Sequence, residues 1–244
     1  MIDLSIVIPA HNEEGAIEQT VSDLALRITR EGIVNEIVVV NDNSTDQTDV
    51  ILEQLRQKIK NFKVVDNPPP YGFGFAVRRG IEETRGKHIA IMMADASDDP
   101  EDLIRFFRKA EEEGVDAVFG NRFSKGGEVF DYPWLKLTLN RLTNWLIAGL
   151  FVISYTDTTN AFKLYRRETL EGLKPFMSQH FNLTVELPLK VIVRGYSYAV
   201  LPNRWTNRKA GVSKLKIKEM GSRYWFIILY CLIEKWLSVE DYRK

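Results

Sequence analysis

The chain has 244 residues, enough for one large domain or one domain with an appendage. Its 33 basic and 33 acidic side chains cancel, which leaves no general electrostatic case for a nucleic-acid partner. One cysteine, Cys231, excludes an internal disulfide framework and suggests a reducing compartment. The N-terminal MIDLSIVIPAHNEE has neither a basic region nor a cleavage site and does not read as a signal peptide. No stretch reaches ~18 uninterrupted apolar residues, the length a spanning helix needs.

Residues 4–8 (LSIVI) and 37–40 (IVVV) are short β-rich apolar runs of the kind expected for parallel strands buried on both faces. Between them Ile17, Val21, Leu24 and Ile28 recur at helical spacing. FKVV (62–65), HIAIMMA (88–94) and DAVFG (116–120) extend the strand series. Helical patterns separate them: Ile51, Leu55 and Ile59; Val77 and Ile81; Leu103, Phe107 and Ala110. Strand alternating with helix over the first ~120 residues predicts right-handed βαβ units and a mostly parallel α/β sheet. After about residue 128 the character changes. Residues 134–153 carry two Trp, two basic residues and two Asn in an otherwise apolar run, and 224–237 are aromatic-rich, broken by Glu234 and Lys235. Both segments fit either core helices or interfacial helices with aromatics at headgroup depth.

Polar groups collect where strands end. The first strand runs into Pro9-Ala10-His11-Asn12-Glu13-Glu14 and the second into Asn41-Asp42-Asn43-Ser44-Thr45-Asp46. HIAIMMA delivers Asp95-Ala96-Ser97-Asp98-Asp99 to the same sheet edge, where open α/β sheets bind ligands. Clustered carboxylates repel unless a cation lies between them. A helix N-cap at Asp98 or Asp99 followed by Pro100 accounts equally well for those two acids, but not for Asp95. Asp42 is placed to accept from a base or ribose, while Ser44 or Asp46 caps the next helix. Gly72 and Gly74 allow close backbone approach to a ligand, or serve a tight turn into a helix.

PAHNEE, VVNDNSTDQT, YGFGFAVRRGIEETRG, MMADASDDPED, GNRFSKGG, DTTNAFKLYRRETL and RKAGVSKL occur in this order over roughly residues 3–216. Together they resemble the family 2 inverting glycosyltransferases, in the dolichol-phosphate mannose synthase-like and polyprenyl-phosphate glycosyltransferase branch. The resemblance implies a GT-A fold, Rossmann-like, with C-terminal amphipathic helices. It implies a catalytic domain over 1–216, divided into a nucleotide-sugar half (1–122) and an acceptor half (123–216), and an amphipathic, membrane-associating segment over 217–244. Carried over by position, Pro9, His11, Glu13, Asp42, Gly74, Arg79, Asp95 and Lys214 would bind the nucleotide-sugar, with His11 in place of the family's Tyr. Arg122, Asp157, Arg208 and Ser213 would border the acceptor, together with Thr159 and Lys163. Asp95, Arg122 and Arg208 would be catalytic. Asp95, Ser97 and Asp98 would hold Mg²⁺ or Mn²⁺. The chain departs from the family at Met93, where the first acid of D-x-D is expected and where a thioether is a poor ligand for a hard cation. Asn41 and Ala161 are further departures.

The implied reaction is a single in-line displacement from a nucleotide-diphospho-sugar, GDP-mannose or a UDP-sugar, to a polyprenyl or dolichyl phosphate. A phosphate monoester has a second pKa of about 6 and needs no strong general base. Without a spanning segment, the expectation is peripheral attachment to the cytoplasmic face of a membrane, or a membrane partner subunit. Two alternatives stay open: a polysaccharide or protein hydroxyl acceptor served by Asp157 or Glu186 as base, and a non-catalytic nucleotide-sugar binder.

Overall fold

The computed structural model describes residues 2–208 and 217–237. Strand and helix alternate through β1 (Leu4–Ala10), α1 (Ile17–Arg30), β2 (Asn35–Asn41), α2 (Thr48–Lys58), β3 (Phe62–Asp66), α3 (Phe73–Glu83), β4 (His88–Ile91), α4 (Pro100–Glu113) and β5 (Ala117–Asn121). There follow β6 (Glu128–Phe130), α5 (Trp134–Phe151), β7 (Lys163–Arg166), α6 (Arg167–Gly172), α7 (Leu183–Val193), β8 (Tyr198–Pro202), β9 (Arg204–Thr206) and α8 (Ile217–Leu237).

One seven-stranded sheet has the order β3-β2-β1-β4-β7-β5-β8. All its pairings are parallel except those of β7, which runs antiparallel to both β4 and β5. β6 and β9 form a separate parallel pair. The βαβ series predicted from the sequence is present. The antiparallel β7 was not foreseen, because its four residues, KLYR, alternate too briefly to register as a strand. It follows β5 and β6 in the chain yet lies between β4 and β5 in the sheet.

Every residue of β1 is buried, as its unbroken apolar run requires. Ile6 and Ile8 pack with Ile17, Val21, Leu24 and Ile28 of α1 and with Leu103 and Phe106 of α4. Val7, on the opposite face, packs with Val77 and Ile81 of α3 and Leu183 and Leu187 of α7. α1 starts without a side-chain cap. Its four core side chains, each worth roughly 1.5–3 kcal/mol when buried, define it instead. α4 is capped: the Asp99 carboxylate accepts the Glu101 N–H at 2.9 Å and Pro100 occupies the first turn. The run HIAIMMA is a strand only to Ile91, and the chain turns at Ala94–Asp95 with Ala96 at φ +57°.

At the opposite end of β4 from that turn, His88 is fully buried and neither ring nitrogen makes a hydrogen bond among the described residues. Burial lowers its pKa to about 4, with Glu111 acting the other way. Because the unfolded chain takes up this proton near pH 6.5 and the folded chain only near 4, protonation favours unfolding between those values. Stability should therefore fall as pH drops from about 6.5 to 4, by up to about 3 kcal/mol from this residue. His88→Phe should flatten that part of the pH profile in urea titrations.

Candidate active site

The C-terminal ends of β1 and β2 are laced together by short polar side chains. Asn12 N–H donates to Ser44 Oγ at 3.0 Å, and Asn12 Oδ1 accepts the Thr45 N–H at 2.7 Å. Glu13 N–H donates to Thr48 Oγ1 at 2.8 Å. Asp46 Oδ1 accepts the Thr48 N–H at 2.9 Å, so of Ser44 and Asp46 it is Asp46 that serves the start of α2. Asp42 is buried at this edge. Its Oδ1 accepts from Asn67 Nδ2 at 2.7 Å, and both oxygens face the Gly72 N–H, at 3.2 and 3.0 Å. Pro9 lies buried in β1. His11 Nδ1 is 2.6 Å from the Asp42 carbonyl. A carbonyl only accepts, so Nδ1 carries the proton and Nε2 is left as an acceptor. Asn67 was not foreseen, although it follows β3 at the same edge.

Two residues of α3 expected at the donor make contacts within the protein. Gly74, expected beside the nucleotide-sugar, donates its N–H to Gln179 O at 3.0 Å, and a Cβ there would lie 2.6–2.8 Å from the Ser178–Gln179 backbone. The close approach that requires glycine is to the protein's own chain. Gly72 has φ +144°, and a Cβ there would meet His180 Nδ1 at 2.6 Å. Arg79, also expected at the donor, pairs with Glu83 of its own helix at 2.8 Å.

Asp95 emerges beyond β4, nearly buried. Its Oδ1 accepts the Ser97 N–H at 3.2 Å, and its Oδ2 accepts from Arg208 Nη2 at 2.7 Å. Arg208 Nη1 is also 3.4 Å from Glu13 Oε1. One guanidinium thus bridges two carboxylates, and the three groups carry one net negative charge. β9 delivers Arg208 there: Trp205 forms an antiparallel bridge with Asp98, and Thr206 N–H donates to Ser97 O at 3.0 Å. Asp98 accepts the Met93 N–H at 3.0 Å. Burial pushes its pKa up to about 7; the Met93 bond opposes this and the neighbouring Asp95 charge adds to it. Ser97 Oγ is buried with no hydrogen-bond partner among the described residues. The donor set for a divalent cation is therefore centred on one carboxylate, Asp95. Mg²⁺ bound largely through substrate phosphates and water needs one or two carboxylates, so these residues fit such an ion.

Arg122 follows β5 and is buried against Asp157, which is fully buried. Asp157 Oδ2 accepts from both the backbone N–H and Nε of Arg122 at 2.9 Å, and Oδ1 accepts from Nη2 at 2.7 Å. Phe123, Tyr132 and Trp205 place their rings 5.3–5.9 Å from the guanidinium carbon. Burial alone would lower the Arg122 pKa; the Asp157 carboxylate more than offsets this and holds it above the usual guanidinium value. Asp157, expected to border the acceptor, pairs with Arg122. Lys163 Nζ is likewise inward, donating to the carbonyls of Thr158, Asn160 and Thr184, and burial draws its pKa down to about 7. Arg141 of α5, not foreseen, stacks on Phe123 at 4.3 Å and donates to Thr156 O. A basic residue inside an apolar helical run was the available signal. Ser213 and Lys214 lie outside the described residues.

The ends of β1, β2, β4 and β5 thus gather Asp42, Asp95, Arg208 and Arg122 at one polar edge of a mostly parallel sheet. The sequence model of Glycosyl transferase family 2 matches residues 5–173. The chain belongs to that family and is a glycosyltransferase. It is 30% identical over 216 residues to a polyprenol monophosphomannose synthase of Mycolicibacterium smegmatis, covering 86% of this chain and 80% of that protein. It is 30% identical over 223 residues to a dolichol-phosphate mannosyltransferase of Pyrococcus furiosus, and the match spans 88% of this chain but only 60% of the relative. The fold is GT-A: glucosyl-3-phosphoglycerate synthase of Mycobacterium tuberculosis, solved with Mn²⁺, UDP and glucosyl-3-phosphoglycerate, superposes with a TM-score of 0.69 at 19% identity, over 96% of this chain and 79% of that one. The same enzyme is known with Mg²⁺ and UDP.

Asp157→Ala would leave Arg122 buried without its counter-charge. It should destabilise the protein by about 3–5 kcal/mol, read as a lower urea midpoint at unchanged slope.

Proposed function

We propose that the protein transfers a sugar from a nucleotide-diphospho-sugar to a polyprenyl phosphate with inversion at the anomeric carbon. The observation that carries this reading is the state of the carboxylates. A hydroxyl acceptor needs a base, and the two acids suited to it are both consumed. Asp157 is spent on Arg122. Glu186 is fully buried, accepts the Met177 and Ser178 N–H groups at 2.7 and 2.6 Å, and pairs with Lys190 at 2.7 Å. A phosphate acceptor, largely ionised near neutral pH, requires neither.

In this mechanism an acceptor phosphate oxygen attacks the anomeric carbon as the bond to the diphosphate breaks, and the nucleoside diphosphate leaves. His11 and Asp42 contact the nucleoside. Arg122 and Arg208 supply positive charge at the reaction centre, where preorganised charge lowers the barrier most. Asp95, with Ser97 and Asp98 in the same loop, would hold Mg²⁺ or Mn²⁺, which when bound neutralises charge on the diphosphate. The two mannose-transferring relatives make GDP-mannose the first donor to test, with UDP-sugars as the alternative.

A lipid acceptor also accounts for α5 and α8. Their inner faces form one cluster with α7, built on Ile147, Phe151, Val185, Leu189, Ile227 and Cys231. Their outer faces leave Trp134, Leu142 and Trp145, and Trp225, Phe226 and Ile233, 48–76% exposed. Among the described residues no helix is long and apolar enough to cross a membrane. Exposed aromatics on two adjacent helices suit a bilayer interface, here the cytoplasmic face. A membrane partner subunit covering the same face is the other candidate.

Transfer of label from GDP-mannose to detergent-dispersed polyprenyl phosphate should require Mg²⁺ or Mn²⁺ and cease with a chelator. Asp95→Ala and Arg208→Ala should each lower kcat on the order of 10²–10³. Nucleotide binding with no lipid product from any donor would overturn the acceptor assignment. Flotation with phosphatidylcholine–phosphatidylserine vesicles should recover the protein, and Trp145→Ser with Trp225→Ser should weaken binding about tenfold or more, since one buried aromatic contributes roughly 1.5–3 kcal/mol.

A further inference from the structure

Helix α5 carries two unlike faces. Leu135, Leu139, Leu142 and Leu146 are exposed on the outer side. On the inner side a polar stripe of Asn140, Arg141 and Asn144 meets the turn over residues 156–160. Asn144 is the one polar side chain of α5 that is fully buried, which demands a structural return in hydrogen bonds. It has them. Its Oδ1 accepts from Thr158 Oγ1 at 2.7 Å and from the Thr159 N–H at 3.2 Å. Its Nδ2 donates to Thr159 Oγ1 at 2.9 Å and to Asn140 Oδ1 at 3.0 Å. Asn140 Nδ2 donates to Thr159 Oγ1 at 2.8 Å, and Arg141 Nη1 to Thr156 O at 3.0 Å. The residue enclosed by these contacts is Asp157, whose carboxylate clamps both the guanidinium and the backbone N–H of Arg122.

We propose that Asn144 is a positioning residue for the reaction centre: it locks the polar stripe of α5 to the 156–160 turn, so that the apolar outer face of α5 and the Arg122–Asp157 pair move as one unit. The enzyme thereby couples what α5 rests on to the order of its central arginine. The link is physical at each step, running from helix side chain to turn hydroxyls and amide, from turn to carboxylate, and from carboxylate to guanidinium. Nothing else in α5 calls for a buried carboxamide. Leucine at 144 would match its size, but would leave the Thr158 hydroxyl and the Thr159 N–H without the Asn144 side-chain carbonyl oxygen they donate to.

The test compares Asn144→Leu and Thr158→Val with the wild type, and Thr158→Ser as the conservative control. Amide hydrogen exchange over residues 117–123 reports the Arg122 clamp and needs no acceptor. Both disruptive variants should exchange about tenfold faster there, at unchanged nucleotide affinity, and Thr158→Ser should restore protection. In the transfer assay kcat should fall about tenfold with little change in the KM for donor. If Asn144→Leu fails to fold, Thr158→Val, which removes a single hydroxyl, carries the same readouts. Faster exchange confined to 155–162, with 117–123 and kcat as in the wild type, would reduce Asn144 to a local helix anchor and overturn the proposal. The coupling to a surface rests on the membrane reading above. Phosphatidylcholine–phosphatidylserine vesicles should increase protection at 117–123 in the wild type and not in Asn144→Leu. Vesicles that bind without changing 117–123 would overturn the coupling. A failure to bind would strike the membrane reading, while the vesicle-free exchange still decides the role of Asn144.

Discussion

The buried Arg122–Asp157 pair is the contact around which the C-terminal end of β5 and the 156–160 turn are built. Taking two charges out of water costs several kcal/mol each, and only close geometry with further hydrogen bonds offsets it. Here Asp157 receives three N–H donors from Arg122, at 2.7–2.9 Å. Tyr155 OH lies 2.7 Å from the Asp157 carbonyl and 3.0 Å from that of Gly120, tying the turn to β5. Lys163 fixes the carbonyls of Thr158 and Asn160, and Asn144 fixes the hydroxyl of Thr158. Phe123, Tyr132 and Trp205 lie round the guanidinium, whose charge is balanced by the buried Asp157 carboxylate.

The ends of β1 and β4 depend on a different balance. Asp95 and Glu13 share Arg208, leaving one net negative charge at this sheet edge. Met93 stands where a second acid is usual in the family. The Asp98 carboxyl is turned to the Met93 amide, so it holds the loop in place. The same loop is bridged to β9, the strand that carries the chain to Arg208. A shift in either segment is therefore felt by the other.

α5 joins these local arrangements to the outside of the molecule. Its apolar face and its polar stripe lie on opposite sides of one helix, and α8 widens the apolar face while packing its own inner side on α7. The inner faces of both helices pack as core, while their outer faces leave large apolar side chains exposed.

The sequence by itself determined the βαβ series, the capped start of α4 at Asp99-Pro100, and the family, because apolar periodicity, capping and motif order are local properties of the chain. It also placed Asp42 and Asp95 at one sheet edge, since each follows an apolar strand run, while Arg122 was singled out by the family resemblance alone. Only the tertiary structure decided what those side chains touch. Asp157 is 35 residues from Arg122, and Arg208 is 113 from Asp95. Spacing carries no information about contacts between elements that far apart. The glycine at 74 was open to a close backbone approach or a tight turn; that it packs on the Ser178–Gln179 backbone depended on residues about a hundred positions away folding back over α3, a long-range packing outcome. β7 was invisible for the same reason: four residues become a strand only because β4 and β5 offer their edges on either side.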